Sequence, residues 1–346
     1  LDYNATTPIR PEVIKLMTDI MGTVGNASSV HGYGRIARRN VEKARDQIGA
    51  LARCNPAQVI FTSGATESNN LAIRGVCERT RRRGNHLVSV STEHSAVLHP
   101  LSKLHNRGFE ITLLPVCPNG EVRAGQIDLD QLCEAIGEDT LLVSVMLANN
   151  EIGVTQPLAE IGRICKQRGI ILHTDATQAV GTMPVDVDQL QVDLLSLSAH
   201  KIYGPKGVGA LYVRRRNPQV RLESQIDGGR QELGRRSGTA NVPGIVGLAT
   251  ALSLCQEERA EESERLRQLR NRLFEGLSAR IDGVTLNGPP LDADPLRLAG
   301  NVNCSFADVD GEALMMSMRD LAVSSGSACT SADPEPSHVL RAIGLS

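Results

Sequence analysis

Several apolar runs in this chain end in residues that can do chemistry. After DLLSLS comes Ala199-His200-Lys201, which stands an amine beside an imidazole and the hydroxyl of Ser198. IILHTDA delivers His173-Thr174-Asp175, and so a carboxylate. VIFTS leads into Ser63-Gly64-Ala65-Thr66-Glu67-Ser68, a turn of small residues whose backbone N–H groups and hydroxyls suit a phosphate at a helix start. Thr92-Glu93-His94 and Asn149-Asn150-Glu151 end two more runs. Taken singly, each stretch has an ordinary reading as a capped helix start, a surface loop or a solvated lysine. Taken together they supply a phosphate cradle, a carboxylate, an amine and an imidazole. Pyridoxal phosphate uses that set: it is held as a Schiff base on a lysine, its ring nitrogen pairs with an aspartate, and its phosphate takes backbone and hydroxyl donors. Lys201 and Asp175 fill the first two roles, with Thr66, Ser198 and His200 as phosphate candidates. No strand leads into G-x-G-x-x-G and G-x-x-x-x-G-K-[ST] is absent, so dinucleotide and nucleotide-hydrolysis chemistry rank well below.

A second reactive group lies near the end of the chain. SSGSACTSA sets Cys329 among small, weakly polar residues, and its type alone leaves packing, redox pairing, metal ligation and nucleophilic attack open. The eight cysteines include no C-x-x-C pair, and most sit in apolar helix or strand patterns. That scatter argues against structural zinc and disulfides and for reduced thiols in a cytosol-like, hence cytoplasmic, compartment, with no metal. Gly326 between small residues gives the loop mobility and little to pack, which favours a working thiol over a buried one.

These residues need a scaffold that brings strand ends together. From Val59 to Val213 strand-like runs alternate with helical ones: VIFTS, HLVSVS, EITLLPV, TLLVSVMLA, IILHTDA, DLLSLS and GALYVRR, separated by stretches such as LAIRGVCERTRRRG, AVLHPLSKLHNRG, DLDQLCEAIG and PLAEIGRICKQRG. Continuous apolar strands joined by helices imply an α/β fold with a mostly parallel sheet covered on both faces, whose ligands sit beyond the carboxyl ends of the strands. A long charged helix from about Val242 to Ala279 then separates this block from short strands at VTLN and NVNCSF and a helix at DGEALMMSMRD, the pattern of a small α+β domain. The domains are therefore expected at 12–257, binding the cofactor, and at 1–11 plus 258–346, carrying the Cys329 loop.

Composition agrees with a cofactor enzyme and removes other classes. With 346 residues, of which 41% are hydrophobic, the chain can bury a large core, and a formal net charge of −2 gives no pull toward nucleic acid or an anionic membrane. No apolar stretch approaches the roughly 18 residues of a membrane span, and LDYNATTPIR has neither the basic nor the apolar region of a signal peptide.

The segments LDYNATTP, GNASSVHGYG, FTSGATESNN, TEHSAV, NNEIGV, HTDATQAVG, SAHKIYGPKGVGALY, RRSGT and SSGSACTSA, in this order, resemble the cysteine desulfurases that supply sulfur for iron–sulfur clusters, within the class-V aminotransferases. The resemblance covers the whole chain. It implies homodimers of the aspartate aminotransferase fold (pyridoxal phosphate fold type I) that convert L-cysteine to L-alanine and leave the sulfur as a persulfide on Cys329 for an iron–sulfur scaffold or another sulfur-acceptor protein. By motif position Lys201 holds the cofactor, Asp175 pairs with its ring nitrogen and His94 stacks on the ring. Ala65, Thr66, Asn150, Gln178, Ser198 and His200 complete the site, and Thr239 of the neighbouring subunit reaches the phosphate. A selenocysteine lyase or another sulfur-amino-acid lyase shares this constellation, and a catalytically impaired sulfur relay or scaffold-binding homologue is the reading from a different class.

Three departures from the family pattern matter. DGGRQELG differs around Arg230 and Leu233, and SAHK places Ala199 where the family has glycine. The family also continues past its HVLRAIGLS counterpart into an arginine that grips the substrate carboxylate, and residues 1–346 hold no match to it. The expectation is either a piece of a longer enzyme or a cofactor-binding homologue with impaired turnover.

Overall fold

A computed structural model describes residues 2–324 and 337–345. Seven strands form one sheet in the order β1-β7-β6-β5-β4-β2-β3. They are β1 (Val59–Thr62), β2 (His86–Val90), β3 (Glu110–Leu114), β4 (Thr140–Ser144), β5 (Ile171–Asp175), β6 (Leu194–Ser198) and β7 (Gly209–Val213). All seven coincide with the runs expected from sequence. Strands β4, β6 and β7 are buried along their whole length, which is why they read as unbroken apolar runs rather than alternating ones. Helices cover both faces, so two apolar clusters form, one around Val143, Leu195 and Leu248 and the other around Leu71, Leu87 and Leu142.

Strands β2 through β6 pair in parallel, and β7 runs antiparallel to both β6 and β1. The exception has a local cause: residues 199–208 join β6 to β7, fewer than the dozen or so that a parallel crossover needs. Because β1 is antiparallel to β7, it is parallel to β6, and the carboxyl ends of β1, β2, β4, β5 and β6 all lie on one edge of the sheet. That edge carries the reactive residues.

The helices are placed by recognisable local signals. α3 (Ala65–Thr80) opens directly from β1, while α4 (Ser95–His105) has His94 as its N-cap. α5 (Leu129–Ala135) is capped by Asp128 through Asp130 N at 2.7 Å, and α6 (Leu158–Arg168) ends on Gly169 in the left-handed conformation. Two further helices that the strand–helix alternation does not cover, α1 (Pro11–Met21) and α2 (Gly32–Leu51), pack against α7 (Val242–Ser278). The first half of α7 is buried through Ile245, Leu248 and Leu252, and its second half leads to a two-stranded sheet of β8 (Val284–Leu286) and β9 (Cys304–Phe306), followed by α8 (Gly311–Ser317) and α9 (His338–Ala342). Among the described residues no helix is long and apolar enough to cross a membrane.

Candidate active site

Beyond the strand ends lies a cavity of about 1130 Å³, and it gathers Ala65, Thr66, His94, Asn150, Asp175, Gln178, Ser198, His200 and Lys201. These residues come from β1–α3, β2–α4, the β4 loop, β5 and β6, so only the fold brings them together. Thr239 is exposed and does not line this cavity, although its neighbours Gly238 and Ala240 line a small adjoining pocket. Cys329 lies outside the described residues.

Lys201 stands on a single helical turn, Ala199–Lys201, that leaves β6. The N-terminal arm crosses this turn and holds it. Thr7 N donates to His200 O at 2.9 Å, Thr7 Oγ1 donates to the same oxygen at 3.0 Å, and Tyr203 N donates back to Thr7 Oγ1 at 2.7 Å. Lys201 Nζ donates to Asn4 O, and Gln178 Nε2 donates to the same carbonyl at 3.1 Å. Burial, with Lys201 and Lys206 nearby, brings the His200 imidazole down to about 4, so it is neutral at physiological pH. Its Nδ1 lies 3.2 Å from Thr6 Oγ1.

Asp175 ends β5 with both carboxylate oxygens engaged. Thr177 N donates to Oδ1 at 3.0 Å and Asn69 Nδ2 donates to Oδ2 at 2.7 Å. Two residues earlier His173 is fully buried between hydroxyls of the flanking strands, with Nδ1 2.8 Å from Ser144 Oγ and Nε2 3.1 Å from Ser196 Oγ. Burial lowers its pKa to about 4, and a neutral imidazole with one donor and one acceptor suits two hydroxyls that can each turn to match.

The cradle at the start of α3 depends on two glycines. Gly64 takes φ +149°, a conformation that L side chains rarely adopt, and no side chain among the described residues caps the helix there. Its backbone is approached by Gly209, where a Cβ would fall 2.5 Å from Leu197 O and 2.7 Å from Gly64 Cα. Thr62 Oγ1 donates to Gly64 O at 3.1 Å and Ser63 N donates to Glu67 Oε2 at 2.8 Å, which ties the turn from both sides. Arg236 in turn engages both Glu67 oxygens, at 2.8 and 3.2 Å.

His94 caps α4 by accepting from Ala96 N at Nδ1, 3.1 Å away, which assigns the proton of the neutral ring to Nε2. Burial pushes its pKa below the ordinary histidine value. Its neighbour Glu93 is fully buried; Oε1 accepts from Met146 N at 2.6 Å and Oε2 has no partner among the described residues. Burial first, and then the charge of Asp175, push its pKa well above the usual carboxylate range, and its bond to Met146 N ties the His94 loop to the end of β4. Sequence reasoning noted Glu93 beside His94 without giving it a role, and missed Asn4 and Asn69. Each sits inside a quoted motif, but nothing in its type or spacing separates it from an ordinary polar loop or helix residue.

The residues fit pyridoxal phosphate on structural grounds. An uncapped helix start facing Ser198 and His200 provides anion donors, a lysine shares the cavity, and an aspartate is held by two donors. The buried Thr177 Oγ1, on the cavity wall, has no partner among the described residues and is available to a ligand.

The relatives agree with the geometry. The family model for aminotransferase class-V matches residues 1–345. The chain is 52% identical over 349 aligned positions to cysteine desulfurase IscS of Escherichia coli O139:H28, covering 100% of this chain and 84% of that protein. A solved NifS-like protein superposes with a TM-score of 0.90 at 36% identity, covering 99% of this chain and 89% of the other. SspA in complex with cysteine superposes at 0.85 with 35% identity, covering 99% and 94%. This chain belongs to the class-V aminotransferase family, among its cysteine desulfurases.

Proposed function

We propose that this protein is a pyridoxal-phosphate-dependent cysteine desulfurase that converts L-cysteine to L-alanine and receives the sulfur on Cys329. The observation that carries the reading is the convergence of Lys201, Asp175, His94 and the Gly64–Thr66 turn on one cavity from four separate strand ends. When bound, pyridoxal phosphate supplies an electron sink that acidifies the α-proton of an amino acid. Lys201 would hold it covalently, and its Nζ, when free, would move the substrate's α-proton. Asp175 would pair with the ring nitrogen, His94 would stack on the ring, and Thr66, Ser198 and His200 would hold the phosphate, with Ala65, Asn150 and Gln178 completing the site. The thiolate of Cys329 attacks the substrate sulfur; the new S–S bond forms as the substrate C–S bond breaks, its electron pair leaves with the carbon, and protonation gives alanine. L-cysteine and one thiol thus become L-alanine and one persulfide, with no outside oxidant or reductant.

The working unit is a homodimer. Val24, Val30 and Tyr33 lie 64% exposed or more beside α1 and α2, an apolar surface that a second copy would cover, and Thr239 is exposed for delivery to a neighbouring site. The two domains are 12–257 and 1–11 with 258–346. The sulfur goes to an iron–sulfur scaffold or another acceptor protein, and the scatter of cysteines without a C-x-x-C pair supports a cytoplasmic setting. Alanine and sulfide formed from L-cysteine with dithiothreitol present test this directly. Cys329→Ser is expected to stop turnover while the yellow colour remains; full-rate sulfur transfer by Cys329→Ser would defeat the nucleophile assignment, and a colourless wild type would defeat the cofactor.

A further inference from the structure

Asn69 lies in α3 one helical turn beyond the Gly64–Thr66 cradle, and it is fully buried. Among the described residues its side chain makes one hydrogen bond, from Nδ2 to Asp175 Oδ2 at 2.7 Å, and its Oδ1 has no partner. That imbalance is informative. A buried amide with one unmet atom is costly, so packing of α3 against the sheet alone would favour an apolar side chain at this position. The amide orientation is also fixed by its partner, because a half-turn flip would set the carbonyl oxygen against the carboxylate.

We infer that Asn69 is a positioning residue for Asp175, orienting its carboxylate toward the cofactor ring and making α3 a single bar that holds both ends of the ligand. The first turn of α3 presents the phosphate cradle; the second turn, through Asn69, sets the group that meets the ring nitrogen. Thr177 N fixes the other carboxylate oxygen from the chain that follows β5. Without Asn69, that backbone donor is the one hydrogen-bond partner left to the Asp175 carboxylate among the described residues, and rotation about its side-chain bonds becomes freer. The proposal rests on the reading of Asp175 as the partner of the ring nitrogen.

The test is a cycle of Asn69→Ala and Asp175→Ala in the full-length protein, prepared free of cofactor and titrated with pyridoxal phosphate. Two quantities are read: the Kd, and the pH titration of the visible band of the bound cofactor. Asn69→Ala is expected to weaken binding about ten-fold, the size of one hydrogen bond to a charged group, and to move the band's titration in the same direction as Asp175→Ala. In the Asp175→Ala background the same change is expected to alter Kd by less than about two-fold, because its target is gone. Asn69→Asp keeps the side-chain shape and replaces the donor with an acceptor, so it is expected to weaken binding at least as much. Equal weakening by Asn69→Ala in both backgrounds would show a packing role and overturn the inference. So would wild-type binding by Asn69→Asp, or wild-type Kd and titration in Asn69→Ala. If Asp175→Ala itself binds and titrates like wild type, the reading of Asp175 fails, and that result is distinct from a failure of Asn69 alone.

Discussion

Replacing Glu93 by Gln is expected to stabilise the protein, by an amount that grows with pH. Glu93 is completely buried, its Oε1 accepts from Met146 N and its Oε2 has no partner among the described residues. Burial and the nearby Asp175 raise its folded-state pKa well above the ordinary value of 4.5. Above that ordinary value the unfolded chain releases the proton while the folded chain keeps it, so wild-type stability falls as pH rises, by about 1.4 kcal/mol per pH unit until the folded group also titrates. Glutamine has no proton to release in either state and keeps the acceptor for Met146 N. The stability difference between Glu93→Gln and wild type should therefore widen as pH rises from 5 to 7. Every other titrating group is common to the two proteins and cancels in the difference. Urea unfolding of both, at pH 5, 6 and 7 with saturating cofactor, measures it. A difference that stays flat with pH, or one that shrinks, would contradict a raised Glu93 pKa in the folded protein.

Two further outcomes follow from the geometry. Arg45 and Glu232 form a two-pronged pair at 2.8 Å on both prongs, with side chains only 11% and 10% exposed, and Glu232 also accepts from Phe61 N at 3.1 Å. Arg45→Ala should cost about 3–5 kcal/mol by leaving a buried carboxylate alone, and Arg45→Ala with Glu232→Ala should cost less than the sum, both read by thermal or urea unfolding. Gly209→Ala should destabilise by about 1–3 kcal/mol and weaken cofactor binding, because its Cβ would collide with Leu197 O and the backbone of Gly64. Gly311→Ala, with nothing within 4 Å of the new atom among the described residues, serves as the neutral control in the same melting and binding assays.

The sheet was legible because burial on both faces removes alternation, so β4, β6 and β7 read as apolar runs with punctuation. The polar ends of those runs disclosed Lys201, Asp175 and Thr66, since a strand end is where side-chain chemistry is cheapest to place. What stayed hidden depends on distance along the chain. Asn4 reaches Lys201 across 197 positions and Asn69 reaches Asp175 across 106, and no local pattern encodes a partner so far away. Glu93 was visible as a residue beside His94 but not as a carboxyl with a raised pKa, because that shift comes from burial and from Asp175. The helices α1 and α2 escaped because they lie outside the strand–helix alternation that guided the rest.

The central claim is that the cavity holds pyridoxal phosphate on Lys201. Reducing the yellow protein with borohydride and locating the modified peptide by mass spectrometry tests it most directly. The cofactor is expected on Lys201 alone, with Lys206, the other lysine lining the cavity, unmodified. Cofactor on Lys206, or no trapped cofactor on a protein that still forms alanine from L-cysteine, would contradict it.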